Sequence, residues 1–234
     1  MKGNLCIIPA RGGSKRIPRK NIKDFLGKPI IGYSIQAALE SRLFDEVMVS
    51  TDDEEIAEIA IKLGAIVPFM RSVSNSNDFA GTYDVIEEVI KTYNQNGKDF
   101  KYSCCIYPTA PLISTKRLKE GLNLLKTSKY TTVFPIVEFN YPILRSLKLE
   151  NLSKVSMNFP EYQSSRSQDL PKSFHDAGQF YWFDIKNLLE TKELFGKNSG
   201  AIILSQLEVQ DIDNISDWHL AELKYQLRHE KGSF

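Results

Sequence analysis

Three cysteines in 234 residues, two of them the adjacent pair Cys104 and Cys105, are too few and too poorly spaced for a disulfide framework or a thiolate metal site. With Cys6 they lie in apolar, strand-like runs and read as buried thiols. No apolar run approaches the roughly 20 residues of a membrane span, and the one in MKGNLCIIPARGG is shorter than a signal-peptide core. A cytoplasmic chain with no membrane partner is therefore expected. Charge of one sign is missing too. The 30 Lys and Arg nearly cancel 29 Asp and Glu, and a net charge of +1 removes any global attraction to nucleic acid, so electrostatic function must be local. Neither G-x-x-x-x-G-K-[ST] nor G-x-G-x-x-G occurs, which takes the main support from kinase and dehydrogenase readings. Internal repeats and low-complexity tracts are also lacking. What is present, 42% hydrophobic residues over this length, suits one α/β domain spanning 1–234 with a small appendage.

Apolar runs alternate with helical patterns, the signature of βα units around a largely parallel sheet. Leu5 to Pro9 reads as a strand, followed by a basic glycine-rich loop and a helix with Ile31, Ile35, Ala38 and Leu39 on one face. A second unit pairs strand 47–50 with a helix whose stripe is Ile56, Ile59, Ala60 and Leu63, with Thr51 and Glu54 fitting a capping box and Gly64 closing it. The acids at 52–55 then fall in the first turn, where the backbone dipole favours them without any metal. A third unit has 65–70 as strand and Ile86, Val89, Ile90 and Tyr93 as helix stripe. The fourth runs from strand 103–107 through Pro108-Thr109-Ala110-Pro111 to a helix carrying Leu118, Leu122 and Leu125. After a strand at 131–138 the rhythm stops. Residues from about 140 to 171 are rich in Asn, Ser, Pro, Tyr and Gln, with a hairpin-like 147–157 around Asn151, and read as an excursion from the sheet. Strand 179–183, a short helix near 187–194, strand 201–204 and a closing helix with Leu220, Leu223 and Leu227 on one face complete the chain.

Two segments carry chemistry. In IIPARGGSKRIPRKN a strand runs into Gly12, Gly13 and Ser14, and Arg11, Lys15, Arg16, Arg19, Lys20 and Lys23 follow without an acid before Asp24. Glycines let backbone N–H groups close on an anion, and the carboxyl end of a parallel strand is where open α/β sheets bind ligands. A K/R-rich stretch without strand context would read as a solvated loop or nucleic-acid patch; the strand and the double glycine favour polyphosphate. The second segment is Val209-Gln210-Asp211-Ile212-Asp213. Residues two apart in extended chain face one side, so both carboxylates can meet a hard cation; equally, either Asp could cap the coming helix. Together the segments make a coherent site, cations for phosphates and paired carboxylates for the accompanying Mg²⁺.

The run Ala10 to Asn21, with Val-Ser-Thr-Asp at 49–52, Pro-Thr-Ala-Pro at 108–111 and Asp-Ile-Asp at 211–213 in the same order, resembles the acylneuraminate cytidylyltransferases, or CMP-sugar synthetases, over nearly the whole chain. Tyr107 before the Pro-Thr-Ala-Pro turn, S-R-S-Q-D-L at 165–170 and H-D-A-G-Q-F-Y-W-F at 175–183 are most similar to the branch that takes pseudaminic acid. The resemblance implies a Rossmann-like mixed α/β sheet of the nucleotide-diphosphosugar transferase type with a small dimerisation arm at about 140–171, working as a homodimer. It implies transfer of CMP from CTP to the anomeric hydroxyl of a nine-carbon 2-keto sugar acid, with release of pyrophosphate and Mg²⁺ as cofactor. Arg11 and Lys20 would act on the phosphates. Gly12, Gly13, Ser14 and Lys15 would line the loop, with Arg16 as a looser candidate. Ala10 and Ala80 would read cytosine, Asn21 would approach the ribose, and Thr82 stands where the sialic acid enzymes often carry serine. Tyr107, His175 and Asp176 would contact the sugar, Arg166, Ser167 and Gln168 would reach a partner's site, and Asp211 and Asp213 would hold the metal. No general base is identifiable.

Alternatives stay open at this level: a sialic or legionaminic acid acceptor, a UTP- or GTP-dependent sugar-1-phosphate nucleotidyltransferase, or a non-catalytic nucleotide-binding protein. The KRIPRKN continuation argues against the second of these classes and the intact Asp211 and Asp213 against the third. His219 and His229 read as solvated helix residues, and Tyr181, Trp182 and Phe183 as core.

Overall fold

A computed structural model describes residues 3–77 and 79–230. In chain order the elements are β1 (Gly3–Pro9), a hairpin of β2 (Asp24–Phe25) and β3 (Lys28–Pro29), α1 (Ile31–Ser41), β4 (Glu46–Ser50), α2 (Glu54–Lys62), α3 (Thr82–Gln95), β5 (Phe100–Ile106), α4 (Thr115–Thr127) and β6 (Thr132–Glu138). There follow a hairpin of β7 (Leu147–Leu149) and β8 (Val155–Met157), then β9 (Phe174–Asp176), β10 (Phe180–Asp184), α5 (Ile185–Thr191), β11 (Ser199–Leu204) and α6 (Ile215–Glu230).

The main sheet has the order β11-β6-β10-β5-β1-β4, with β9 added to β6. β1 is parallel to β4 and β5, whereas β10 runs antiparallel to both β5 and β6. Side-chain alternation along β1 explains its unbroken apolar run: Cys6 and Ile8 enter a core with Ile31, Ile35 and Leu118, while Leu5 and Ile7 enter one with Ile86, Val89 and Leu188. Helices cover both faces. After β4 the chain crosses β1 to form β5, so the strand order reverses at β1, and the crevice outside such a reversal is the ligand-binding position of open α/β sheets.

A third cluster fixes the floor of that crevice. Ile17 from the basic loop, Phe25, Ile30, Tyr33, Ile212 and Trp218 are buried together, with Phe25 edge-on to Tyr33 at 5.2 Å and to Trp218 at 5.5 Å. Loop 11–23 and segment 211–213, far apart in sequence, are thus tethered to one aromatic core. The closing helix is turned accordingly. Trp218 and Ala221 are its buried residues, whereas Leu220 and Leu223, expected inside, are exposed, because large aromatic surface at 25, 33 and 218 gains more on burial than two leucines.

Other local expectations also change. Segment 65–70 makes only a single bridge, Ile66 to Met48, because Pro68 lacks the N–H that would continue the parallel ladder two residues on. α2 is capped by Asp53, whose carboxylate accepts from Ile56 N at 3.0 Å, and not by a Thr51–Glu54 box; Thr51 Oγ1 accepts instead from Asp53 N. Leu39 on α1 is exposed. The irregular segment does leave the sheet between β6 and β9, and its hairpin pairs Leu147 with Met157.

Candidate active site

Carboxyl ends of β1 and β5, the start of α3 and the basic loop enclose a cleft of ≈ 610 Å³. Arg11, Ser14, Lys15, Lys20 and Asn21 line one side, Ala80 and Thr82 another, and Tyr107 the base, so nine expected residues, Arg16 included, meet there. The loop is held from behind. Gly12 N donates to Asp52 Oδ1 at 3.0 Å and so points away from the cleft; a Cβ at Gly12 would come within 2.6 Å of Asp53 Oδ2, so glycine permits the close approach of α2. Asn21 is buried and donates to the Arg11 carbonyl at 2.9 Å, which fixes the arginine's backbone. Arg19 adopts a left-handed φ of 54° and is clamped by Asp53 and Glu55. That arginine holds the Asp53 carboxyl below the usual range, and Asp52, Asp53 and Glu55 together anchor the loop.

Opposite the loop lies Asp211-Ile212-Asp213. Ile212 is fully buried, and its two neighbours share the other side of the chain. Lys20 Nζ donates to the Ile212 carbonyl at 2.6 Å, and Arg16 pairs with Asp213 at 2.8 Å. Burial pulls the Lys20 ammonium down against the opposing attraction of Asp213 and Asp211. Burial, then the like charge of Asp213, pushes the Asp211 carboxyl up. Neither carboxylate is among the residues lining the cleft, but both lie next to its Arg16 and Lys20, and two crowded carboxylates fit Mg²⁺, which takes one or two protein carboxylates and completes its shell with substrate oxygens and water. Among the described residues there is no cluster of three or more His, Cys, Asp or Glu to form an all-protein cage.

The other expected residues lie elsewhere. Ala10 is wholly buried behind the loop, and Gly13 has open space around it. His175 is exposed, packed on Phe139 at 4.8 Å, with Nδ1 2.8 Å from the Asp176 carbonyl. Asp176 turns inward, accepting from Gly178 N at 3.1 Å and Tyr181 Oη at 2.5 Å. Arg166 and Gln168 lie on the excursion and do not line the cleft.

Sequence reasoning missed Arg71. It is 8% exposed yet lines the cleft, with Nε donating to Ser50 Oγ at 3.0 Å and Nη2 to the Ser50 carbonyl. Burial lowers its affinity for the proton, opposed by Asp52 and Glu88. Nothing around Met70-Arg71-Ser72 in the sequence signals this, because the residues that receive it come from β4.

A crevice at a strand-order reversal, walled by a basic loop whose Arg16 and Lys20 reach the segment of the paired carboxylates, is that of a nucleotidyltransferase. The cytidylyltransferase family model matches residues 5–229, and the chain belongs to that family. It is 45% identical over 229 residues to the pseudaminic acid cytidylyltransferase of Campylobacter jejuni serotype O:2, covering 98% of this chain and 99% of that one. It is 36% identical over 218 residues to N-acylneuraminate cytidylyltransferase A of Danio rerio, covering 93% of this chain and 49% of the other. Among solved structures, CMP:2-keto-3-deoxy-manno-octonic acid synthetase complexed with CTP superposes with a TM-score of 0.71 at 17% identity, covering 97% and 99% of the two chains, a likeness of fold.

Proposed function

We propose that this protein transfers CMP from CTP to the anomeric hydroxyl of pseudaminic acid, releasing pyrophosphate. The observation that carries the reading is the near-full-length similarity to a pseudaminic acid cytidylyltransferase, at 45% identity, in a chain whose basic loop lines one cleft and touches Asp213 through Arg16 and the Ile212 carbonyl through Lys20. The anomeric oxygen attacks the α-phosphorus and pyrophosphate leaves. Charge builds on phosphate oxygens, so positioned cations supply most of the stabilisation.

Arg11 and Lys20 neutralise those oxygens, and Lys15 and Ser14 flank them. Arg71, pinned by Ser50, faces the nucleoside end together with Ala80 and Thr82. Asp211 and Asp213 would hold Mg²⁺, which when bound draws charge from the phosphate oxygens and acidifies an attacking hydroxyl. Tyr107 contributes to the base of the cleft. The exposed apolar excursion fits a homodimer, and a cytoplasmic location fits a biosynthetic enzyme.

Pyrophosphate release is measured over the four NTPs with pseudaminic, N-acetylneuraminic and legionaminic acids. CTP with pseudaminic acid should give the highest kcat/KM, and equal values for pseudaminic and N-acetylneuraminic acid would reject the sugar. Arg11→Ala and Lys20→Ala should each lower kcat/KM by roughly 100-fold, as for a lost charge-assisted phosphate contact, with little change in Tm.

A further inference from the structure

Between Ile17 and Lys20 the basic loop makes one tight turn. Lys20 N donates to the Ile17 carbonyl at 3.2 Å, Pro18 takes the second position and Arg19 the third, where it adopts φ 54° and ψ 31°. A proline followed by a left-handed residue is the pattern of a type II turn, whose third position favours glycine. Any other L side chain is disfavoured there, because its Cβ crowds the following carbonyl. Arg19 has little room to relax. Ile17 is buried before the turn with Phe25 and Trp218, and Asn21 is buried after it, so the chain reverses between two fixed points.

Asp53 supplies a restraint from outside the loop. Its carboxylate takes the Arg19 guanidinium in a two-pronged contact, Oδ2 from Nη1 and Oδ1 from Nη2 at 2.9 Å, and Glu55 also accepts from Nη2. The same Oδ1 accepts from Ile56 N at 3.0 Å, which fixes the carboxylate to the first turn of α2. Asp52 accepts from Gly12 N at 3.0 Å, so the β4–α2 connection grips the loop at both ends. Arg19 itself is not among the residues lining the cleft, but the next two, Lys20 and Asn21, are. The turn sets their reach, with Lys20 Nζ on the Ile212 carbonyl at 2.6 Å and Asn21 Nδ2 on the Arg11 carbonyl at 2.9 Å.

We propose that Arg19 is a positioning residue for the nucleotide: its clamp on Asp53 holds a left-handed turn that directs Lys20 and Asn21 into the cleft. This rests on the cytidylyltransferase reading of the cleft and deepens it. The cation acts through backbone geometry and not by touching phosphate. Without the clamp the turn is only partly populated in the free enzyme, and the apparent affinity for CTP falls by that fraction. Bound CTP restores the turn, so the loss falls on KM for CTP and spares kcat.

Arg19→Gly, Arg19→Asn and Arg19→Ala test this, because all three remove the same charge and differ in their tolerance of a left-handed backbone. Arg19→Gly should keep KM for CTP within about twofold of wild type and Arg19→Ala should raise it about fivefold or more, with Arg19→Asn between them and kcat within about twofold throughout. Arg19→Lys keeps the charge but lacks the planar fork, and should resemble Arg19→Ala. A single KM shared by the glycine and alanine variants overturns the proposal. A common rise would make Arg19 a direct phosphate contact, and a common wild-type value would make the clamp idle.

Asp53→Asn carries the test if Arg19→Ala does not fold, judged by Tm. Asparagine caps a helix as well as aspartate does, so α2 keeps its cap while Arg19 loses the charge that grips it. KM for CTP should rise about threefold in the wild-type background and stay unchanged in the Arg19→Gly background, where no clamp is left to lose. An equal rise in both backgrounds overturns the proposal. Calorimetric titration with CTP should give the same order of affinities without turnover. A wild type that neither binds CTP nor releases pyrophosphate from it sinks the cytidylyltransferase reading, whereas an active wild type whose glycine and alanine variants behave alike sinks the positioning role alone.

Discussion

Arg16 spans the mouth of the cleft to Asp213, with Nη2 2.8 Å from Oδ1, so a cation of the basic loop lies on a carboxylate that Mg²⁺ would use. The two side chains are 68% and 47% exposed. Such a pair is worth under about 1 kcal/mol in water. Metal can therefore displace the arginine at little cost. Arg16→Gln should lower the Mg²⁺ concentration for half-maximal activity by about twofold to fivefold, in line with that energy, whereas Asp211→Asn and Asp213→Asn should raise it and slow turnover. Mg²⁺ titrations of activity decide, and unchanged midpoints in both aspartate variants would return those residues to a capping role.

Ser50 is buried and directs Arg71 through its hydroxyl and carbonyl. Ser50→Ala removes the hydroxyl acceptor while leaving the carbonyl, so the guanidinium loses one of two restraints. KM for CTP should rise by about fivefold, the worth of one hydrogen bond to a charged group, with kcat nearly constant. Steady-state kinetics at saturating sugar acid would separate the two parameters, and a fall in kcat alone would contradict this role.

Glu208 joins the turn before Asp211 to α4, accepting from Arg117 Nε at 2.8 Å and from Ser205 N at 3.0 Å. Burial opposes ionisation there, but Arg117 and Ser205 prevail and bring the Glu208 carboxyl down to about 2. A folded pKa depressed below the unfolded one stabilises the fold above the unfolded value, near about 4.3, and that stability drains away as the pH falls from there towards the folded value. Glu208→Gln should cost about 2 kcal/mol at neutral pH, after discounting for partial solvent screening, and much less at about pH 3. Urea unfolding at the two pH values provides the comparison, and an equal loss at both would reject the ion pair as the cause.

Leu147, Leu149, Leu152 and Val155 are all more than half exposed around the β7–β8 hairpin. Apolar surface of that extent is rare on a lone monomer. Deleting 147–157 should convert a homodimer to monomer or leave the chain insoluble, whereas a simple surface loop would tolerate the loss. Light scattering at micromolar concentration measures this, and a monomeric wild type would remove the dimer from the account.

Chain-local features determined much of what could be read in advance. The stripe Ile86-Val89-Ile90-Tyr93 and the leucines of α4 at 118, 122 and 125 are buried as their spacing demands, because a helix with one apolar stripe has one way to face a sheet. The basic loop at the end of β1 and the spacing of Asp211 and Asp213 were legible for the same reason, since each depends only on near neighbours along the chain. Tertiary structure alone decided which of these groups work inward. Arg71 enters the cleft because Ser50 on β4 holds it, Gly12 faces Asp52 because α2 approaches the loop, and Asp176 is consumed by Tyr181, five residues on but one strand away. α6 shows the limit most clearly: its leucine stripe predicted one buried face, yet the aromatic cluster of Phe25, Tyr33 and Trp218 draws another face inside. Periodicity says that a helix has a side to bury, but the partner it meets across the fold chooses which.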